Sequence, residues 1–404
     1  MVTHTDTPPV MSVDFTEPRI VEDPWETLEE IRSRGPVVYN DSIDAWMVSS
    51  YRNVAKLLGN ARNFTTERLG ESYAQLFGGN TMQFDDTERH DEIKAVWSRQ
   101  FQRNNLADLR GMVTEIVDQR LLPFVERMRA GEVLDARQHL TRGIPTLVIA
   151  RMMGLPEERF EEFSRWSDAM GGTLGGVVGS SEHGREMVRA GQAATAAMNQ
   201  YLGEVLDDRR RIPTDDLVGR LTSSEVATKM SEQDLIASVT QLVFAGNETT
   251  ANLMAHMLVA LAEHPDQRRA IAADRSLVAA AVEETNRWQT PVALKMRHAR
   301  NGAELAGVPI PDGSKMLGLQ ISANRDPDRW EEPARFDVHR QSTPHIGFGF
   351  GKHACLGLNL ARLEAAVWLE RLLDELPDWA LAAPPDYGRN FWVRGPKIVM
   401  MAAP

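Results

Sequence analysis

The sequence predicts a mainly α-helical single domain with small β-sheets, and three observations predict it. Apolar residues recur at helical spacing over long stretches, at 105–129, 187–210, 232–263, 274–288 and 358–375. Strand-like runs are few and short, without the regular strand–helix alternation of a doubly wound fold. Neither a linker, an internal repeat nor a low-complexity tract interrupts the 404 residues, so 1–404 reads as one unit.

Taken in order, residues 1–20 ("MVTHTDTPPVMSVDFTEPRI") lack apolar periodicity and are expected to be poorly ordered. "AWMVSS" at 45–50 is the first strand candidate. "GGTLGGVVGS" at 171–180 reads as a mobile connection between helices, because glycine-rich tracts punctuate regular structure. The longest helix follows at 232–263. "KMRHA" at 295–299, "GVPIP" at 307–311 and "KIVMM" at 397–401 are short strands.

Composition narrows the function classes. The charge of 45 Lys and Arg against 57 Asp and Glu, −12 net, argues against a nucleic-acid binder. The N-terminus has neither a basic region nor an apolar core of signal-peptide type. No apolar run approaches a membrane span. The expected setting is a reducing, bacterial-type cytoplasm, with no membrane or nucleic-acid partner. One cysteine excludes an internal disulfide and any zinc site with two thiolates.

That cysteine, Cys355, stands in "GFGFGKHACLG" at 347–357, ahead of the helix 358–375. A phosphate-binding loop fails because Ile346 occupies its first glycine position and His353 replaces Ser or Thr. A dinucleotide fingerprint fails at Lys352 and Ala354, and covalent heme attachment needs a second cysteine. Two readings stay open on the residues alone. Cys355 is either a small buried hydrophobe or a reactive sulfur near a helix N-terminus, where dipole and free N–H groups favour thiolate. Gly349 and Gly351 allow a tight turn and close approach to a flat, bulky group.

The stretch resembles the heme-binding signature of the cytochromes P450, F-G-x-G-x-H-x-C-x-G, at Phe348, Gly349, Gly351, His353, Cys355 and Gly357. The resemblance implies the P450 fold and heme b (protoporphyrin IX iron) as cofactor, with Cys355 as the metal-ligating thiolate. It also implies Phe348 packed near the sulfur and His353 reaching a propionate. In "AGNETT" at 245–250, Ala245 and Gly246 are similar to the family's dioxygen niche. Glu248 and Thr249 are similar to its catalytic acid–alcohol pair, because oxygen activation consumes two protons that an apolar pocket does not supply. The bland reading of Thr249 is a hydroxyl bonded back to the carbonyl four residues earlier.

By the same resemblance, Glu284 and Arg287 with the later Arg340 form a structural ion-pair cluster. His90, Lys94 and Arg297 contact propionates, Lys94 standing where the family often has Arg. On the substrate side Gln241, Leu242 and Phe244 share or border the helix face of Thr249. Gln241 either orients a substrate oxygen or bonds within the protein. Phe77, with Phe64, Met82 and Phe84, then Val292, Leu294, Phe391 and Trp392, are expected to line an apolar pocket. Arg68 or Arg389 is a candidate carboxylate anchor, and surface arginines are common.

The resemblance runs from residue 81 through the cysteine loop. It implies a monooxygenase inserting one atom of dioxygen into a small or medium hydrophobic substrate, by hydroxylation or O-dealkylation. Electrons would come from a separate ferredoxin-type donor with its reductase. A basic patch of Lys352, Arg362, Arg99 and Arg103 on the cysteine side suits an acidic carrier; scattered surface charge is the alternative. A thiolate-heme peroxygenase using hydrogen peroxide and a non-catalytic heme-based sensor or binding protein are the rival functions, neither needing the Glu248–Thr249 pair.

Overall fold

The computed structural model describes residues 8–67, 76–179 and 181–403. Eight helices position the site: α1 (Glu88–Ser98), α2 (Arg110–Arg129), α3 (Gly143–Met152), α4 (Phe160–Gly176), α5 (Glu182–Arg211), α6 (Glu232–Glu263), α7 (Val278–Trp288) and α8 (Leu358–Glu375). The strands are β1 (Val10–Met11), β2 (Val38–Asn40), β3 (Ala45–Val48), β4 (Phe64–Thr65), β5 (Leu134–Asp135), β6 (Lys295–Ala299), β7 (Glu304–Leu305), β8 (Val308–Pro309), β9 (Lys315–Gly318), β10 (Ala380–Leu381) and β11 (Met400–Ala402). They form a sheet ordered β1-β2-β3-β9-β6-β4, a sheet β10-β11-β5 and the hairpin β7-β8.

Helix α6 is the axle. The Ser231 hydroxyl caps it by accepting from Asp234 N, and Glu232 and Asp234 place negative charge on its first turn. Its 32 residues extend about 48 Å at 1.5 Å each. Most of them are apolar or small on every face, so the helix runs buried through the middle, against α3, α4, α5, α7 and α8.

The long helices expected at 232–263 and 358–375 form with those bounds. The one expected at 105–129 is broken: Arg103–Leu106 and a tight turn at Ala107–Leu109 precede α2. Asp274 caps another tight turn, Arg275–Leu277, before α7. The strand expected at 397–401 slides to Met400–Ala402, and that at 307–311 shrinks to Val308–Pro309.

Two expectations fail. The glycine-rich tract is helix through Gly176, because its glycines are packing surface rather than hinge. A Cβ on Gly176 would overlap the Gly184 carbonyl, and one on Gly191 would overlap the Thr173 hydroxyl. Missing side chains therefore let α4 and α5 lie in close contact. The N-terminal segment is also not loose from residue 8 onward. β1 pairs with β2, and Phe15 is fully buried with its ring stacked 4.7 Å from Phe391.

Candidate functional site

One cavity lies between α6, the cysteine loop and the edge of the large sheet. Its walls include Cys355, Phe348, Gly349 and His353 from the loop, Ala245, Gly246, Glu248 and Thr249 from α6, His90 and Lys94 from α1, and Arg297 from β6. Residues scattered over 265 positions of sequence, from His90 to Cys355, are thus brought together.

The loop is shaped by two left-handed glycines, Gly349 (φ 76°) and Gly351 (φ 74°). A Cβ at Gly351 would stand 3.0 Å from Gly59 Cα and from the Leu58 carbonyl oxygen. Cys355 N–H donates to the Phe348 carbonyl at 2.8 Å, which closes the turn. The Arg362 guanidinium sits 4.9 Å over the Phe348 ring. Cys355 opens onto the cavity, its accessible surface facing inward. Burial pushes its thiol up, against the opposing pull of Lys295, the Gly357 N–H, Lys94 and Arg362.

On one flank, basic groups converge. His90 Nδ1 is 2.6 Å from the Met82 carbonyl, and its buried Nε2 has no hydrogen-bond partner among the described residues, with Asp91 Oδ1 4.0 Å away. Its ring lies 4.5 Å from that of His353. His353 Nε2 contacts Asp86 Oδ1 at 2.6 Å, and burial lowers the histidine despite that carboxylate. Arg297 is only 5% exposed and donates to the Met296 carbonyl. Burial lowers its guanidinium to about 10, the charge of Asp86 opposing. Lys94 Nζ donates to the Lys352 carbonyl at 2.9 Å. Asp86, absent from the sequence reading, is the carboxylate of this cluster. Burial alone would raise it, but hydrogen bonds from His353, Thr65 and Thr66 N prevail and hold it well below the usual range.

On α6, Thr249 Oγ1 donates to the Ala245 carbonyl at 3.0 Å, the bond of the bland reading. Glu248 is 1% exposed, and its Oε1 receives the Lys397 ammonium, which stays 31% exposed. Its Oε2 has no partner among the described residues and lies where a Cβ on Gly171 would be. Burial raises the carboxyl; Lys397 opposes by charge and hydrogen bond, Asp168 adds to the rise and Arg137 opposes it. No local signal announces Lys397, since 149 residues separate the pair.

Gln241, Leu242, Phe244, Val292 and Trp392 line the cavity as expected, with Met82 and Phe84. Four expected residues do not. Phe77 stands behind the wall, packed on Phe84 and Phe244 at 5.9 and 5.6 Å. Leu294 is fully buried outside the lining. Phe391 turns to Phe15, and its neighbour Trp392 takes the wall. Phe64 belongs to the sheet-side core. Arg389 is exposed and away from the cavity; Arg68 lies outside the described residues.

Of the ion-pair cluster, Glu284 and Arg287 are fully buried, while Arg340 is partly exposed. Arg287 Nε and NH2 fork onto Glu284 at 2.7 and 2.8 Å, while Arg287 NH1 donates to the Asn324 and Pro333 carbonyls. Glu284 also accepts from Arg340, Ser342 and Asp337 N. The basic patch is smaller than expected. Lys352 Nζ is tied to the carbonyls of Asp86 and Thr87, and Arg362 clamps Glu283. Arg99 and Arg103 remain exposed, beside α8 through the bond from Asn359 to the Phe101 carbonyl.

A heme fits these residues. A lone thiol faces one wall, and Arg297, His90, Lys94 and His353 gather on one flank, with His90 Nε2 lacking a hydrogen-bond partner, as the carboxylate-bearing edge of a planar group requires. Comparison with known proteins agrees. Residues 35–377 match the family model described as Cytochrome P450. The chain is 33% identical over 408 residues to the cytochrome P450 monooxygenase PikC of Streptomyces venezuelae, covering 98% of this chain and 93% of that one. It is 35% identical over 317 residues to a vitamin D(3) 25-hydroxylase of Pseudonocardia autotrophica, covering 77% and 74%. The structure superposes on cytochrome P450 CYP109Q5 from Chondromyces apiculatus with a TM-score of 0.84 and 31% identity, covering 97% and 98%. Among the described residues no helix is long and apolar enough to cross a membrane. The chain belongs to the cytochrome P450 family and is similar along nearly its whole length to bacterial monooxygenases of that family.

Proposed function

We propose that this chain is a heme-thiolate monooxygenase that inserts one oxygen atom into a small or medium hydrophobic substrate, by hydroxylation or O-dealkylation. The observation that carries the reading is the meeting of the only thiol, the Ala245–Thr249 face and the basic cluster in one cavity. Heme b supplies, when bound, an iron that activates dioxygen with electron density from a thiolate. Cys355 would ligate it, with Phe348 and Gly349 against it. Arg297, His90, Lys94 and His353 would hold its carboxylates.

The remaining steps belong to the chain's own groups. Thr249 keeps acceptor capacity on Oγ1 while donating to Ala245, and a rotation of its O–H aims the proton into the cavity. Glu248, whose carboxyl burial raises against the pull of Lys397, is the preceding residue on the helix and also lines the cavity. Lys397 joins Glu248 Oε1 to solvent through its partly exposed ammonium. A proton thus enters at Lys397, is held on Glu248 and passes to Thr249. Phe84, Phe244, Leu242, Val292 and Trp392 exclude water and hold an apolar substrate. Ala245 leaves only a methyl on the helix one turn before Thr249, and Gly246 lets Ile149 approach the helix closely. A ferredoxin-type carrier, with its reductase, would deliver electrons on the cysteine side, where Arg99 and Arg103 carry the exposed charge.

The test is a pair of variants. Cys355→Ser is expected to abolish the thiolate-type spectrum of the reduced carbon monoxide complex; its retention overturns the ligand assignment. Thr249→Ala is expected to lower product formed per electron pair, with reduced oxygen species released instead. Unchanged coupling overturns the proton route.

A further inference from the structure

Gln241 is one of the uncharged polar residues that line the cavity, with Gln83. It is 4% exposed, and Phe84, Phe244 and Leu174 line the same cavity. Its Nε2 donates to Gln83 Oε1 at 3.0 Å, and Gln83 lies on the short turn Met82–Phe84 that forms part of the wall. Its Oε1 is buried with no partner among the described residues. The amide is therefore held at one end and open at the other. A buried acceptor left unpaired is costly, and a ligand that carries a donor to it recovers that cost.

Charge selects the kind of donor. A carboxylate has no hydrogen to offer Oε1 at neutral pH. A cationic amine would have to shed its water among apolar side chains, a large cost for a charged group. A neutral hydroxyl meets neither objection. Position selects the length. Gln241 precedes Thr249 by eight residues on α6, about 12 Å along the axis at 1.5 Å per residue. An extended chain of about ten carbons spans that distance at ordinary bond lengths and angles.

We infer that Gln241 is a specificity-determining residue that accepts a hydrogen bond from a substrate hydroxyl about 12 Å from the carbon oxidised at the Thr249 level. The preferred substrate is then a neutral alcohol with an apolar body of that length, and Gln83 is the positioning residue that keeps the amide turned. The inference rests on the monooxygenase reading above.

The experiment uses the heme-loaded protein, with the reduced carbon monoxide spectrum recorded first. A spectrum of the wrong type defeats the monooxygenase reading itself; a correct one leaves the substrate question to the titrations. The probes are primary n-alkanols of six to fourteen carbons, their methyl ethers and the corresponding carboxylic acids, followed by the spin-state shift of the Soret band. The alkanols are expected to bind about tenfold tighter than their ethers, the worth of one hydrogen bond, with the tightest binding near ten carbons. In Gln241→Leu the two series should come within about twofold while the carbon monoxide spectrum is unchanged. Should that variant fail to load heme, Gln83→Leu reads the same point, since an amide no longer held should lose most of the preference. Equal binding of alcohols and ethers overturns the inference, as do acids tighter than alcohols or no shift with any alkanol. A preference that survives both substitutions overturns it as well.

Discussion

The Glu248–Lys397 pair makes a prediction whose pH dependence separates it from ordinary packing loss. Lys397→Met leaves a carboxyl that is 1% exposed without its ammonium. Removing one partner of a buried pair typically costs about 3–5 kcal/mol. Lys397 keeps 31% of its side chain in water, so screening reduces the expected loss to about 2–3 kcal/mol at neutral pH. The sign follows from burial, which already raises the Glu248 carboxyl against the lysine's opposition. A carboxyl raised on folding stabilises fully below its unfolded value and loses that contribution as pH rises through its folded value. The slope is about 1.4 kcal/mol per pH unit within that window. Without Lys397 the window reaches to higher pH. The two proteins should therefore approach equal stability below the unfolded carboxylate range, and the gap should open as pH rises. Urea unfolding followed by tryptophan fluorescence, with both proteins heme-loaded, measures the gap directly. In a Glu248→Gln background, where no charge forms, Lys397→Met should cost little. A gap that is the same at every pH, or that persists in the glutamine background, would refute the ion-pair account.

Other sites give sharper or opposite signs. Arg287→Met removes the forked partner of Glu284, leaving it Arg340, Ser342 and Asp337 N, and takes the donor from the Asn324, Pro333 and Arg335 carbonyls; it should cost about 3–5 kcal/mol with loss of heme. Arg287→Lys should rescue little, because an ammonium cannot fork; thermal unfolding and the Soret absorbance check both. Gly171→Ala should gain up to about 1 kcal/mol by helix propensity, yet its Cβ meets Glu248 Oε2, so a net loss of about 1–2 kcal/mol is expected. A stabilised variant would show that the carboxyl moves aside freely. Burial would raise Glu283, but hydrogen bonds from His345 and Arg362 prevail and hold it at about 2. Being depressed on folding, it contributes above the unfolded carboxylate range and loses that contribution as pH falls toward 2. Glu283→Gln should flatten the acid limb of a stability–pH curve and cost about 2–3 kcal/mol at pH 7.

What could be read in the sequence was what one segment carries alone. Helix α6 announces itself because its cap, its acidic first turn and its apolar run are contiguous, and the loop before Cys355 because its glycines and sulfur fall in one window. What failed was whatever a distant segment decides. Glycine means conformational freedom or the absence of a side chain, and the same letter serves both. Only the approach of α5 to α4 selects the second meaning at Gly176. Adjacent aromatics at 391 and 392 are equivalent locally; Phe15, from a segment expected to be loose, claims one and leaves Trp392 for the cavity. Lys397 and Asp86 escaped for the same reason, each defined by a partner elsewhere in the chain. Gln241 is the instructive case, because the sequence posed an internal bond and a substrate bond as alternatives. An amide has a donor end and an acceptor end, and a protein that fixes the first has oriented the second. On the proposed reading the internal bond is what would make a substrate bond at Oε1 specific, so the two readings are one arrangement seen from its two ends.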